Sequence, residues 1–193
     1  MGTSLFMVTI LFEVGPMTLD QAEKAPAPGV TPDMYRQALG SFASGVTIIT
    51  SMDGAHPVGT TVSAFSALSI EPPLVLVCLA RTSNTLAHVE KAGFFGVNIL
   101  SSNQSEEARR FASSKGTNKF ESVDFCAGKT GAPLLSGVSA VIECTLVDAL
   151  PGGDHVILLG HAQSCVVNAD TAPLIYFQGA FVDVADRLKK AST

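Results

Sequence analysis

The sequence predicts a mainly β fold, an antiparallel barrel with helical insertions. Short β-branched and apolar runs, separated by turn signals, dominate the middle and the end of the 193-residue chain. Helical patterns interrupt these runs without alternating regularly with them. No Gly-x-Gly-x-x-Gly pattern follows a strand, which disfavours a dinucleotide-binding parallel sheet and favours a barrel.

The first predicted elements are a helix and a β-hairpin. Thr31-Pro32 puts an N-cap before a proline at the first helical position, which predicts a helix to about Phe42. β-Branched residues predict a short strand at Val46–Thr50. Because Asp53-Gly54 is a strong hairpin signal, this strand is expected to pair with one at Val58–Phe65.

Two helices are expected between the next strands. The continuous apolar run Leu74–Ala80 is typical of a buried strand. A helix follows at Asn84–Ala92 and ends at Gly93, because glycine suits the position after a helix. A strand is predicted at Phe94–Leu100, and a pattern that resembles a capping box predicts a helix at Gln104–Ser113.

The last third of the chain is predicted to be mostly strands. Val138–Asp148 and His155–Val167 form a hairpin through a Pro-Gly-Gly turn, and a closing strand is expected at Leu174–Val182. Ala185–Ala191 is either a short helix or a frayed tail. The segments before these strands are expected to be irregular: Phe120–Phe125 and Gly128–Gly131.

Composition and charge argue against several classes of function. The net charge is −5, tryptophan is absent and only two tyrosines occur, which disfavours nucleic acid as the main ligand. The four cysteines lie far apart and lack the spacing of a zinc site. Cys78 and Cys144 lie in apolar runs and are expected to be buried thiols. A reducing, cytoplasmic setting is therefore expected.

Three regions are expected along the chain: a flexible N-terminal extension at 1–30, one domain at 31–185 and a tail at 186–193. Ser4–Phe12 is apolar, but it is too short to span a bilayer and lacks the cationic lead of a secretory signal. It could be an extra strand, a contact for another subunit or the product of an upstream start codon, with Met17 as the alternative start.

One run of small and hydroxylic residues carries the strongest functional signal. The side chains of Gly59–Ser69 take little room, so backbone N–H and C=O groups at a strand end could read the edge of a flat heterocycle. The segment Arg81–Thr85 joins a guanidinium and hydroxyls to a helix N-terminus, which favours a phosphate site. A buried hairpin followed by a capped helix accounts for the same residues without a ligand.

Three further segments accompany this run in a fixed order. They are the helix and strand Tyr35–Thr50, the Gly-Asp-His strand Gly153–Gly160 and the closing strand Pro173–Gly179. Together with the run, they resemble the flavin reductase-like family, the small FMN-binding split barrels that serve two-component monooxygenases. The resemblance covers about 33–182 and implies a Greek-key split β-barrel, a homodimer and a flavin near the subunit boundary.

The resemblance also implies roles for individual residues. His155 would lie near the nicotinamide of the electron donor, and Tyr176 would lie near the flavin ring or pack in the core. The implied flavin-binding residues are Val46, Thr47, Thr60, Thr61, Val62, Ser63, Leu79, Ala80, Arg81, Ser83, Asn84 and Thr85, with apolar walls from Val46, Leu79 and Ala80. A basic loop is interpreted as a solvated face or a contact for dinucleotide phosphates: Arg109, Arg110, Lys115 and Lys119.

The predicted function is that of an NAD(P)H:flavin oxidoreductase that supplies reduced flavin to a separate oxygenase. The flavin carries the redox chemistry, so neither a catalytic triad nor a metal is expected. The alternatives are a non-catalytic FMN-binding electron-transfer module and a pyridoxamine-phosphate oxidase-like barrel. The choice between FMN and FAD, and between NADH and NADPH, stays open.

Overall fold

The computed structural model describes residues 29–113 and 118–182. Its helices are α1 (Pro32–Gly40), α2 (Asn84–Ala92) and α3 (Ser105–Ala112). Its strands are β1 (Ser44–Gly45), β2 (Thr47–Asp53), β3 (His56–Val62), β4 (Phe65–Ser69), β5 (Leu74–Ala80), β6 (Phe94–Ile99), β7 (Phe125–Ala127), β8 (Pro133–Leu135), β9 (Ala140–Gly152), β10 (His155–Val167), β11 (Ile175–Phe177) and β12 (Ala180–Val182). The expectations for most of 1–30, for Lys115, for Ala185–Ala191 and for the tail lie outside these ranges.

Seven strands form one antiparallel sheet in the order β3-β2-β6-β9-β10-β5-β4. The edge strands, β3 and β4, are consecutive in the chain and are separated only by Ser63 and Ala64. The Cys78 N–H of β5 donates a hydrogen bond of 2.9 Å to the Ala64 carbonyl, which holds this link against the sheet. Among the described strands, β3 and β4 share no ladder. The chain itself therefore closes one corner of the barrel.

The two faces of β2 support two apolar clusters. Ile49 packs in the barrel interior with Val77 of β5 and Val97 of β6, and these side chains are fully buried. The neighbouring Ile48 faces the other way, as strand geometry requires, and packs with Phe111 of α3. The helix α3 is thereby fixed to the outside of the barrel.

Several predicted elements are confirmed by their observed bounds. The strand Leu74–Ala80, the helix Asn84–Ala92 and the strand His155–Val167 occur as predicted. Gly93 adopts a φ of 73°, the left-handed conformation expected after a helix. The mainly β fold with helical insertions is confirmed.

Other boundaries were wrong because turns interrupt the predicted strands. The strand predicted at Val58–Phe65 ends at Val62, and Phe65 begins a separate strand, β4. The closing strand divides into β11 and β12 because Gln178 and Gly179 adopt φ values of 48° and 81°. The turn predicted at Pro-Gly-Gly is instead formed by Gly153 and Asp154, because β9 continues through Pro151 and ends at Gly152.

The two segments predicted to be irregular, Phe120–Phe125 and Gly128–Gly131, contain no strand residue except Phe125, but the short hairpin β7–β8 that runs beside them was not predicted. All three residues of β7 are exposed, so no alternation of apolar and polar residues could reveal this strand. The helix α1 ends at Gly40 rather than near Phe42. The helix α3 begins at Ser105, because Gln104 occupies the N-cap position and its Oε1 accepts a 3.1 Å hydrogen bond from the Ser101 N–H.

The two cysteines expected to be buried differ in their surroundings. Cys144 is fully buried, as predicted, and burial raises the pKa of its thiol to about 12. Cys78 is only partly buried, because its side chain lies at the border of a surface groove between α1 and β4. Burial still raises the pKa of the Cys78 thiol above its usual value.

Candidate functional site

A cavity of about 540 Å³ lies where the ends of β3 and β5 meet the N-terminus of α2 and the C-terminus of α3. Its lining includes Thr60, Ala80, Ser83, Asn84, Thr85 and Lys119. Five of these six belong to the flavin-binding set implied by the resemblance. The fold therefore brings Thr60 of β3 next to residues of β5 and α2 that lie twenty or more positions later in the sequence.

The N-terminus of α2 forms one wall of this cavity. Ser83 is the N-cap residue, with an extended backbone at φ −72° and ψ 123°, but its side chain makes no capping hydrogen bond. The predicted side-chain cap is thus absent. Because the leading N–H groups of a helix have no partner within the helix, this end of α2 offers donors and a partial positive charge to an anion.

Lys119 supplies a full positive charge to the same cavity. Its Nζ donates hydrogen bonds of 2.8 Å to the Phe111 carbonyl and 3.3 Å to the Gly59 carbonyl. An ammonium group has three donors, so one remains for a ligand. Burial lowers the pKa of Lys119 below its usual value. The interpretation of Lys119 as part of a solvated face was therefore wrong, because contacts with α3 and β3 draw it into the wall.

Arg81 does not line this cavity, although a phosphate contact was expected of it. Its Nε donates a 2.7 Å hydrogen bond to the Gly153 carbonyl, and its backbone N–H donates one of 3.0 Å to the Asp154 carbonyl. The guanidinium is thus directed to the turn between β9 and β10. Sequence reasoning missed this role because the partners lie 72 positions away.

His155 begins β10 directly after that turn. It pairs with Ala80 across the β10–β5 ladder, and Ala80 lines the cavity, so His155 lies one strand away from the cavity wall. Its side chain is 44% exposed, and its Nδ1 lies 2.8 Å from Oδ1 of Asp154. This hydrogen bond is the main reason that the pKa of Asp154 lies below its usual value.

Several members of the implied flavin-binding set have side chains that face the core. Val46 and Leu79 are 1% and 2% exposed, pack in the two apolar clusters and do not border the cavity, so their role as apolar walls stays a prediction. Val62 is also buried. Thr47 Oγ1 donates a 2.8 Å hydrogen bond to the Val62 carbonyl, and Thr61 Oγ1 donates one of 2.7 Å to the Ala108 carbonyl. The hydroxyl protons of Thr47 and Thr61 are therefore already used within the protein.

A larger groove of about 1050 Å³ separates α1 from β4 and β11. Its border includes Ser63, Leu39, Phe42 and Tyr176, and the ring of Tyr176 also packs against Phe181 at 5.6 Å between centroids. The predicted stretch Thr60–Ser63 therefore divides between two concave surfaces, with Thr60 in the cavity and Ser63 in the groove. This position of Tyr176 is compatible with both predicted roles, contact with the flavin ring and packing in the core.

The chemistry of the 540 Å³ cavity suits an anionic group. A helix N-terminus, the ammonium of Lys119 and the hydroxyls of Ser83 and Thr85 converge there, and they are all hydrogen-bond donors. Gly59 keeps the floor close to α3, because a Cβ at this position would lie 3.0 Å from the Phe111 ring. In the described ranges, no cluster of three or more His, Cys, Asp or Glu side chains could hold a metal ion.

The comparison with protein families agrees with these features. Residues 39–185 match the family described as flavin reductase like domain. The chain belongs to the flavin reductase-like family. Its fold is the split barrel of that family, as the resemblance implied.

Relatives in this family carry related names. The reductase subunit HsaB of a flavin-dependent monooxygenase from Rhodococcus jostii is 38% identical over 158 residues, which cover 82% of this chain and 80% of that protein. An NADH-dependent flavin reductase from a Rhodococcus species is 35% identical over 159 residues, with coverages of 80% and 87%.

Solved flavin reductase structures share the fold. The NADH:FAD oxidoreductase SgcE6 of Streptomyces globisporus, in complex with NAD and FAD fragments, superposes with a TM-score of 0.76 at 32% sequence identity. The match covers 82% of this chain and 98% of that chain. Among the helices that the structure describes, none is long and apolar enough to cross a membrane.

Proposed function

We propose that this flavin reductase-like protein is an NAD(P)H:flavin oxidoreductase that transfers hydride from a reduced nicotinamide to FMN or FAD. The observation that carries this proposal is the convergence of the α2 N-terminus, Lys119 and two hydroxyls in one cavity beside His155. Membership of the flavin reductase-like family supports it. Relatives named as reductase subunits of monooxygenases support delivery of the reduced flavin to a separate oxygenase.

The cavity is proposed to hold the phosphate end of the flavin. Lys119 and the N–H groups at the start of α2 would neutralise and bind the phosphate, with Ser83, Asn84 and Thr85 as further donors. The backbone of Thr60–Ser63 would bind the edge of the ring, since Thr60 and Ser63 line adjoining concave surfaces. When bound, the flavin supplies a ring that accepts hydride.

His155 is proposed to orient the reduced nicotinamide. It stands beside the cavity wall through its pairing with Ala80, and its imidazole is partly exposed to solvent. Its Nδ1 is engaged by Asp154, so Nε2 is the ring nitrogen available to a carboxamide. The main role of the protein is to orient the reduced nicotinamide, because hydride transfer depends on the alignment of the nicotinamide and flavin rings.

The proposed assembly is a homodimer in which a second copy covers the groove beside α1. No residue of α1 is buried, and Leu39 and Phe42 are 54% and 79% exposed, which leaves an apolar face uncovered. Ser63 borders this groove only three residues after Thr60, which lines the cavity, and this closeness in the chain supports a flavin near the subunit boundary. Light scattering should give twice the 20.0 kDa mass of the chain. A monomer would contradict the homodimer.

The direct test of the activity is oxidation of reduced nicotinamide by the purified protein. NADH and NADPH are each mixed with FMN and FAD, and the absorbance of the reduced nicotinamide is followed. Catalytic loss over many turnovers supports the oxidoreductase. Loss that stops at one equivalent per protein supports an electron-transfer module, and no flavin binding at all would refute the proposal.

A further inference from the structure

The turn between β9 and β10 is held from outside by Arg81. The Nε of Arg81 reaches the Gly153 carbonyl at 2.7 Å, and the Arg81 N–H reaches the Asp154 carbonyl at 3.0 Å. Arg81 therefore donates a hydrogen bond to the carbonyl of each of the two residues that form this turn. Gly153 adopts a φ of 68°, which glycine permits and most side chains disfavour. The turn thus depends on Gly153 for its backbone shape and on Arg81 for its attachment to β5.

Asp154, within the turn, holds the imidazole of His155. The Asp154 Oδ1 lies 2.8 Å from His155 Nδ1, and a carboxylate can only accept hydrogen bonds. In the neutral imidazole, Nδ1 must therefore carry the proton, which leaves Nε2 as the acceptor. A nicotinamide carboxamide offers N–H donors to such an acceptor.

We propose that Arg81 and Asp154 are positioning residues for His155, the former by fixing the turn and the latter by fixing the tautomer and orientation of the ring. This inference rests on the proposed function, in which His155 contacts the nicotinamide. It assigns Arg81 a purpose different from the flavin phosphate contact implied by the resemblance. Since the guanidinium bonds the turn and Arg81 does not border the cavity, the geometry favours the positioning role.

The kinetic test uses single and double variants with saturating flavin. Arg81→Ala and Asp154→Ala are expected to raise the KM for the reduced nicotinamide about three- to tenfold, the effect of one lost hydrogen bond. The Kd for flavin should stay unchanged, and kcat should change less than about twofold. In a His155→Ala background, neither substitution should raise KM further, because each acts through His155.

Two controls separate positioning from electrostatic attraction of the anionic donor. Arg81→Lys keeps the charge but lacks the Nε donor, so positioning predicts that KM stays raised, whereas attraction predicts recovery. Lys91→Ala removes an exposed cation at the far end of α2 and should leave KM unchanged. Removal of the Asp154 charge would lower KM if attraction alone mattered, which is opposite to the expected direction.

A second readout does not depend on activity. Nitrogen chemical shifts of the His155 ring should report a protonated Nδ1 in the neutral wild type and a mixture of tautomers in Asp154→Ala. Equal tautomer populations in both proteins, or additive KM effects in the double variants, would overturn the positioning role. An inactive wild type that retains the Nδ1 tautomer would refute the proposed function but not the hydrogen-bonded arrangement.

Discussion

Lys119 donates a 2.8 Å hydrogen bond from Nζ to the carbonyl oxygen of Phe111, the next-to-last residue of α3. The ammonium thereby lies at the negative end of one helix while it faces the cavity that the positive end of α2 borders. Two of the three N–H donors of the Lys119 ammonium bind backbone carbonyls, and the third is available to an anion. This arrangement makes the lysine the first residue to test for phosphate binding.

Replacement of Lys119 by glutamine should weaken flavin binding about tenfold or more, because a charge-assisted hydrogen bond to phosphate is lost. Flavin titration by fluorescence quenching measures the change. The exposed Lys91→Gln serves as the control for net charge. Because burial lowers the pKa of Lys119, the wild-type affinity for flavin should begin to fall at a pH below the usual pKa of a lysine, and Lys119→Gln should lack this fall. Equal affinities in both variants would count against the phosphate contact.

The double substitution Ser83→Ala with Thr85→Ala should weaken flavin binding while the chain stays folded. The two hydroxyls line the cavity at the start of α2, and Ser83 makes no capping hydrogen bond that its removal would cost. Each lost hydrogen bond is worth about 0.5–1.5 kcal/mol, so the Kd should rise roughly tenfold. Circular dichroism checks the fold. A folded double variant with unchanged affinity would remove the assignment of these hydroxyls.

Glu143 is predicted to stabilise the fold above acidic pH. Burial raises its pKa, but hydrogen bonds from Ser164 and from Thr130 outweigh this effect and leave the pKa below the usual 4.5. A carboxyl with a lowered folded-state pKa contributes stability at neutral pH and loses it as pH falls through that pKa. Glu143→Gln should therefore cost about 1–3 kcal/mol of unfolding free energy at pH 7.

The same substitution should matter progressively less as the pH falls through the lowered pKa of Glu143, where the wild-type carboxyl becomes protonated. Urea unfolding at neutral pH and in a series of increasingly acidic buffers measures the difference between wild type and variant. Glu90→Gln, on the exposed face of α2, is the matched control and should have little effect at any of these pH values. A difference that does not shrink in acid would argue against the ionised form of Glu143 as the stabilising species.

Gly160→Ala should destabilise the barrel interior. A Cβ at this position would overlap the ring of Phe95, which is fully buried, and would lie 2.9 Å from the Cys144 Cβ. The expected cost is about 1–3 kcal/mol, typical of overpacking in a rigid core. Gly45→Ala is the control, because nothing lies within 4 Å of its added Cβ. Similar midpoints of thermal unfolding for both variants would show that the interior can relax.

The sequence by itself determined the elements whose cause is local. The continuous apolar run of β5 and the glycine stop of α2 predicted those elements with their observed bounds, because each depends on neighbouring residues only. The order of four motifs likewise predicted the family. One part of the cavity lining, Ala80 and Ser83 to Thr85, could be named for the same reason, since α2 begins shortly after β5 ends.

Only the tertiary structure decided which side chains reach the cavity. Lys119 enters it because α3 presents the Phe111 carbonyl, and Arg81 leaves it because the distant turn presents the Gly153 carbonyl. Leu79 packs in the barrel interior and Val46 packs in the cluster beneath α3, because strand register and the placement of neighbouring elements, rather than composition, decide which way a side chain faces. The position of a charged side chain depends on the carbonyl groups that folding brings near it. The residues next to it in the sequence do not reveal which carbonyl groups these are.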